Sequence, residues 1–259
     1  GNIFSNVSAG IGDEISTFPD YPAEIRAPQG TLGGVSGFQV HIGKGVHTPG
    51  DLADVLVAMN PAALKTNARY VKKGGVVIID SDSFRTSDLE KAAFTTDDPI
   101  QEAGLSHAQI VPVAITQMVK DSLADSGLDN KSIVRCKNMF ALGLVCWLFD
   151  RPLEQAQHLL KNKFAKKPAI YEANAKVMRD GYNYGNNIHA SVSTYRVESA
   201  QVKPGIYTDV NGNTATAWGL IAASEKSGLP LFLGSYPITP ATDILHELAK
   251  RKDLGVKAI

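Results

Sequence analysis

The order of apolar and polar positions divides the chain into short elements. A helix-like opening is followed by residues 17–28, which hold Pro19, Pro22 and Pro28 among mainly polar neighbours. That segment is expected to be extended and stiff, because proline fixes φ and pushes its predecessor out of the helical region. Four glycines within residues 30–37 lead into the apolar run Phe38-Gln-Val-His-Ile42, the pattern of a glycine loop feeding a strand. From Pro49 onward Leu52, Val55, Leu56 and Met59 fall at helical spacing, as do Ala63 and Leu64 beyond Asn60-Pro61, where Pro61 should kink or restart the helix. Val76-Val-Ile-Ile79, between Gly74-Gly75 and Asp80, predicts a short buried strand, and residues 110–115 predict another. Residues 115–180 read as helical, with Leu142, Val145, Cys146 and Phe149 on one apolar face; Tyr182-Asn-Tyr-Gly-Asn-Asn187 should break the helix, and 191–202 reads as a final strand. Lys203-Pro204-Gly205 and Asn211-Gly-Asn213 mark a boundary between domains 1–202 and 203–259. Beyond it come a helix at 214–227, a strand at 229–235, a helix from Pro240 to about Asp253, and a closing stretch that reads as the start of a strand. Strands alternating with helices argue for an α/β fold with a mostly parallel sheet. The C-terminal unit has too few helices to cover a sheet face alone.

Length and composition narrow the class. The 259 residues correspond to about 1.7 average domains, and 44% apolar with 20% charged residues excludes wholesale disorder. A core of this size needs no disulfide or metal staple. The longest apolar stretch, 141–149, is about half of a membrane span. Lys plus Arg and Asp plus Glu both total 26, so no overall charge steers the chain to nucleic acid or anionic lipid. The zero conceals an asymmetry: residues 51–130 carry −5 and residues 131–182 carry +6. The basic stretch is open to two readings, a set of solvated helix faces or a docking surface for an anionic cofactor or acidic partner.

Cys136 and Cys146 are the only cysteines, and on a helix they would stand ~15 Å apart, too far for a disulfide. This suits a reducing cytoplasm. Without a four-cysteine set the chain cannot build an iron–sulfur cluster alone, and its six histidines show no metal-binding spacing. No secretory signal opens the sequence, and both ends read as cut edges.

The stretch with most chemistry in it is Leu231-Phe-Leu-Gly-Ser-Tyr236-Pro237-Ile238-Thr239-Pro240, just past the carboxyl end of an expected strand, where open α/β sheets place ligands. Thr239 is suited to be an N-cap and Pro240 the first helical residue, and such a helix start can seat a carboxylate or phosphate. The plainer alternative is that Thr239 only caps, its hydroxyl turned toward the N–H of Thr242 or Asp243. Arg26, flanked by proline and near Glu24, could grip a phosphate or a carboxylate, or form a local or inter-subunit ion pair. The loop of Gly33 and Gly34, with Ser36 and Gly37, matches neither a dinucleotide nor a Walker fingerprint, which leaves a tight turn or an anion cradle. Ser36 lacks a nucleophile-elbow pattern. Asp20, Glu24, Asp80 and Asp82 form no paired-carboxylate motif and read as solvated loop charges.

The run Gly219-Leu-Ile-Ala-Ala through Gly228-Leu-Pro-Leu-Phe-Leu-Gly-Ser-Tyr-Pro-Ile-Thr-Pro240 resembles the start of the pyrimidine-binding domain of 2-oxoacid:ferredoxin (acceptor) oxidoreductase alpha subunits, with Tyr236 to Pro240 as the hallmark pentapeptide. Phe18-Pro-Asp-Tyr-Pro-Ala-Glu-Ile-Arg26-Ala-Pro through Ser36-Gly-Phe-Gln-Val-His-Ile-Gly43 resembles the gamma domain of that family. Gamma fused ahead of alpha is most similar to enzymes acting on 2-oxoglutarate. The resemblance implies a gamma-type domain at 1–202 and the first α/β unit of a thiamine-diphosphate pyrimidine-binding domain at 203–259. It implies oxidative decarboxylation of a 2-oxoacid to an acyl-CoA, 2-oxoglutarate to succinyl-CoA, with CoA as co-substrate and ferredoxin or a similar electron acceptor. In the family the pentapeptide threonine contacts the 2-oxoacid, which corresponds to Thr239, with Tyr236, Pro237, Ile238 and Pro240 around it. Thiamine diphosphate with magnesium and the iron–sulfur clusters are expected on a beta subunit, in the cytoplasm, with no membrane, nucleic-acid or metal site on this chain. The family's opening glycine-rich turn is expected before Gly1 and its pyrimidine-activating glutamate beyond Ile259, so the chain should be catalytically incomplete alone. Two other readings stand beside this one: a non-catalytic assembly module, and an independent CoA- or nucleotide-binding α/β domain.

Overall fold

A computed structural model describes residues 1–20, 35–43, 51–188, 192, 194–201, 203–208, 210–236, 238 and 241–258. These fall into two compact units, one of the described residues up to Gln201 and one from Lys203 on. In chain order the first unit contains α1 (Asn2–Gly10), β1 (Ile15–Asp20), β2 (Gly37–Ile42), β3 (Ala53–Ala58), α2 (Pro61–Asn67), β4 (Val71–Asp80), α3 (Thr86–Lys91), α4 (Pro99–Glu102) and β5 (Gln109–Val113). It continues with α5 (Ile115–Ser122), α6 (Asn130–Arg135), α7 (Lys137–Leu148), α8 (Leu153–Lys163) and α9 (Pro168–Ile188). The second unit contains α10 (Gly212–Ser227), β6 (Phe232–Leu233), α11 (Thr242–Ala249) and β7 (Lys257–Ala258).

The centre of the first unit is the parallel sheet β3-β4-β5, in which Leu56 faces Val77 and Val77 faces Ile110. Side chains alternate across it. Val76, Ile78, Val111 and Val113 join the core formed with α5, α7 and α9, while Val77 and Ile79 join Leu64, Leu89, Phe94 and Leu105 on the other face. This explains why residues 53–58 form a strand and not the helix their spacing predicts. Val55 and Val57 point to one core and Leu56 and Ala58 to the other, so a strand buried on both faces reads as one apolar run, which period alone does not distinguish from a helix. Pro61 does start a new helix: it is the first residue of α2, and Asn60 Oδ1 accepts the Ala63 N–H at 2.8 Å.

The helical region is broken into five helices. Its tightest crossing joins α7 and α9. A Cβ on Gly143 would lie 1.9 Å from the Met178 carbonyl oxygen, and one on Gly181 would lie 2.1 Å from that of Phe140. The expected break at Tyr182 does not occur, and α9 runs to Ile188. Gly185 in this stretch sits against the Trp147 ring, so the polar-looking turn is a helix face in close contact. The strand expected at 191–202 is absent among the described residues. Residues 194–201 instead follow the surface of the unit, tied by Tyr195 N–H to Leu148 O, Ala200 N–H to Gly12 O and Ser199 Oγ to Ile11 O. β1 and β2 form a separate antiparallel pair, Ile15 opposite Ile42, which makes Phe38 to Ile42 the strand their sequence predicts.

In the second unit Asn211 caps α10 by accepting the Thr214 N–H at 2.9 Å, and Gly228 ends the helix at φ 70°. The expected strand at 229–235 shortens to Phe232–Leu233, paired in parallel with β7. Ala217, Ile221, Leu248 and Val256 form its small core. No helix among the described residues is long and apolar enough to cross a membrane.

Candidate functional site

The segment after β6 is the place the sequence singles out. Tyr236 is 84% exposed and Ile238 57% exposed, at the carboxyl end of a parallel strand pair. α11 is described from Thr242, with Ala241 before it and no side-chain cap; the Thr242 N–H bonds to Ile238 O at 2.9 Å. Pro237, Thr239 and Pro240 lie outside the described residues, as do Glu24, Arg26, Gly33 and Gly34. Of the expected site residues, therefore, the structure places Tyr236 and Ile238, separated by one residue in sequence and both open to solvent.

The carboxyl end of the larger sheet holds a cluster that sequence reasoning missed. Asp80 is not a solvated loop charge. It ends β4 fully buried, where its Oδ2 accepts from Ser83 Oγ at 2.9 Å, from Thr116 Oγ1 at 2.8 Å and from Lys137 Nζ at 3.3 Å. Its Oδ1 faces the Thr116 N–H at 3.3 Å, and Asp82 accepts the Gln117 N–H at 2.7 Å. Together they pin the start of α5 and the first turn of α7 to the strand end. A carboxylate with this many donors is a clamp, poorly placed to take a proton from a substrate. The signal was present in the sequence as an acid closing the apolar run at 76–79, at the sheet end where polar groups gather.

A buried charged pair lies close in sequence to Gly12 and Leu148, whose carbonyls accept from Ala200 and Tyr195. Arg151 Nη2 stands 2.6 Å from Asp13 Oδ2, with both side chains withdrawn from solvent. Burial raises the Asp13 pKa, and the Arg151 charge opposes that rise only in part. Arg151 also lines a polar cleft of about 360 Å³ with Phe149, Asp150, Arg196, Glu198 and Ser199.

No group of three or more His, Cys, Asp or Glu side chains among the described residues could hold a metal ion. Cys136 and Cys146 are both free and buried, and burial pushes the Cys146 thiol up to about 12, with Arg151 opposing it. These thiols do not fit cluster ligation.

Residues 1–184 match the family described as pyruvate ferredoxin/flavodoxin oxidoreductase. The chain belongs to this family. It is 46% identical, over 257 residues and 99% of its length, to the 2-oxoglutarate oxidoreductase subunit KorA of Mycobacterium tuberculosis, and it spans 39% of that relative. In fold it is similar to the 2-oxoglutarate:ferredoxin oxidoreductase from Magnetococcus marinus, solved with 2-oxoglutarate, coenzyme A and succinyl-CoA bound. That match has a TM-score of 0.69 at 24% identity and covers 100% of this chain and 40% of the other. The α/β architecture with a parallel sheet is thus that of an oxoacid oxidoreductase subunit.

Proposed function

We propose that this chain works within a 2-oxoacid:ferredoxin oxidoreductase that converts 2-oxoglutarate and CoA to succinyl-CoA, carbon dioxide and a proton, with two electrons passed to ferredoxin. The observation that carries the reading is the 46% identity to a 2-oxoglutarate oxidoreductase subunit across 99% of the chain, both units included. Residues 1–202 act as the gamma domain and 203–259 as the opening part of the alpha pyrimidine-binding domain. The exposed Tyr236 and Ile238 belong to the substrate-binding segment, and the Thr239 hydroxyl donates to the 2-oxoacid. Pro237 and Pro240 stiffen the backbone on either side. Arg26 and Glu24, with Gly33 and Gly34, supply an anion-facing or inter-subunit loop.

The full assembly includes a beta subunit, magnesium and iron–sulfur clusters, and works in the cytoplasm. Thiamine diphosphate, when bound there, supplies the means to cleave the bond to the departing carboxylate. This chain's own part is to hold the oxoacid in position and to keep its segment of the site in place through the β6–β7 pair and α11.

The test is an assay of the assembled enzyme for ferredoxin reduction with 2-oxoglutarate and with pyruvate. CoA-dependent reduction with at least a tenfold preference in kcat/KM for 2-oxoglutarate is expected, about 1.4 kcal/mol of discrimination. Equal or greater activity with pyruvate, or reduction without CoA, contradicts the proposal.

A further inference from the structure

The turn between α8 and α9 concentrates positive charge. Lys161, Lys163, Lys166 and Lys167 lie within seven residues, all four exposed. None of them is in an ion pair among the described residues. Lys163 lies over the Phe164 ring at 5.7 Å, and α9 has no acidic residue in its first turn. The first acid on that helix, Glu172, is exposed and likewise unpaired.

Local stability explains only half of these charges. Lys161 and Lys163 occupy the last turn of α8, where a cation is favoured by the negative end of the helix dipole. Lys166 and Lys167 are in the opposite situation. They immediately precede Pro168, the first residue of a 21-residue helix, where the dipole is positive and cations are disfavoured. Lys167 also brings no side-chain oxygen to cap the helix, although its carbonyl accepts the Tyr171 N–H at 3.1 Å. Two ammonium groups are therefore held where the dipole of α9 opposes them, next to two more, within the stretch of the chain that carries +6.

We propose that this turn is a docking surface for an acidic protein, and, given the function proposed above, for the acidic electron-acceptor protein of the oxidoreductase. Lysines on flexible stems act as point charges; they lack the planar fork with which arginine grips an individual phosphate or carboxylate. Such a surface recognises a field and accelerates encounter. A nucleic acid is disfavoured as the occupant, since the chain has no net charge and the neighbouring ring, Phe164, is already covered by Lys163.

The experiment uses the assembled enzyme with Lys161, Lys163, Lys166 and Lys167 all changed to Gln, an acidic ferredoxin as the probe, and methyl viologen as a small cationic acceptor. At low ionic strength the KM for ferredoxin is expected to rise about tenfold, the difference from wild type closing as salt is added, with methyl viologen reduction unchanged. An unchanged ferredoxin KM at low salt overturns the proposal. So does a ferredoxin KM that stays put while the variant loses retention on DNA or anionic vesicles, which would assign the lysines to another polyanion. Failure of the wild-type enzyme to reduce methyl viologen with 2-oxoglutarate would instead defeat the functional reading on which this inference rests. The pair Lys166→Gln with Lys167→Gln keeps the test independent of folding. It should raise the KM several-fold with the Tm unchanged or higher, and a lowered Tm with normal KM counts against docking.

Discussion

In the first unit a three-stranded parallel sheet is covered on both faces, by α5, α7 and α9 on one side and by the Leu64, Leu89 and Leu105 layer on the other. In the second, a two-stranded pair and two helices bury Ala217, Ile221, Leu248 and Val256, while Trp218, Leu229, Phe232, Tyr236 and Ile238 stay exposed. Both are built from helices with a large apolar share, so composition does not separate them. What differs is the number of layers: a helix or strand with apolar groups on two sides needs two neighbours, and α10 and β6 each have their buried contacts on one. The first unit is rigid where its packing is closest, and the second presents its candidate site residues on the weaker frame.

The sharpest way to break this contrast is the same substitution in two helices. Gly143→Ala places a methyl group 1.9 Å from the Met178 carbonyl oxygen, and backbone on both helices must move. A loss of about 3 kcal/mol or more is expected, read by urea unfolding with the slowly exchanging amides of β4 as reporter. Leu248→Ala removes the only fully buried large side chain of the second core among the described residues and should cost about 2 kcal/mol, at the shallow end for such a change because so thin a unit can close around the gap. The β4 amides should be untouched by it. Gly219→Ala in α10 meets nothing within 4 Å, and here the sign should reverse, with a gain of about 0.5–1 kcal/mol from helix propensity. If Gly143→Ala and Gly219→Ala behaved alike, the close crossing of α7 and α9 would not be what holds the first unit together.

The smallest expected effect is a matter of pH. Glu102 is subject to desolvation, which would raise its pKa, but the Thr95 N–H, the Lys65 ammonium and the Thr96 N–H outweigh it and bring the carboxyl down to about 2. A folded pKa below the ordinary 4.5 means a stabilising contribution fully present above 4.5 and lost as pH falls toward 2. Glu102→Gln should therefore lower the Tm at neutral pH and flatten its decline across that acid window. Asp13 has the opposite sign: its raised pKa makes the native state bind the proton more readily, so its contribution weakens stability as pH rises through the folded value. A Glu102→Gln profile parallel to wild type below pH 4.5 would show that the Thr95–Thr96 turn does not depend on that carboxylate.

The sequence is legible in some of these places and opaque in others for physical reasons. Asn60-Pro61, Asn211-Gly212 and Gly228 announce helix ends because caps act through one or two residues. Strand β4 and strand β2 are readable because turn residues bound a short apolar run. Residues 53–58 mislead because a doubly buried strand has no polar side to reveal its period, and Tyr182 to Asn187 mislead because glycines that permit helix contact resemble glycines that end a helix. The role of Asp80 is set by Ser83, Thr116 and Lys137, the last 57 residues away, and no local spacing announces such a meeting. The pentapeptide at 236–240 is the converse case. The chemistry proposed for it rests on a motif, and local packing alone, with Tyr236 and Ile238 in solvent, would not have singled it out.

The central claim, that the segment after β6 binds the 2-oxoacid, is tested most directly by Thr239→Ala and Thr239→Ser in the assembled enzyme. The account predicts that Ala lowers kcat/KM for 2-oxoglutarate by about tenfold or more, the value of a lost hydrogen bond to a charged group. Serine should restore most of it, and the Tm of both variants should remain that of the wild type. Normal kcat/KM in the alanine variant accompanied by a fall in Tm would make Thr239 a helix cap and contradict the account.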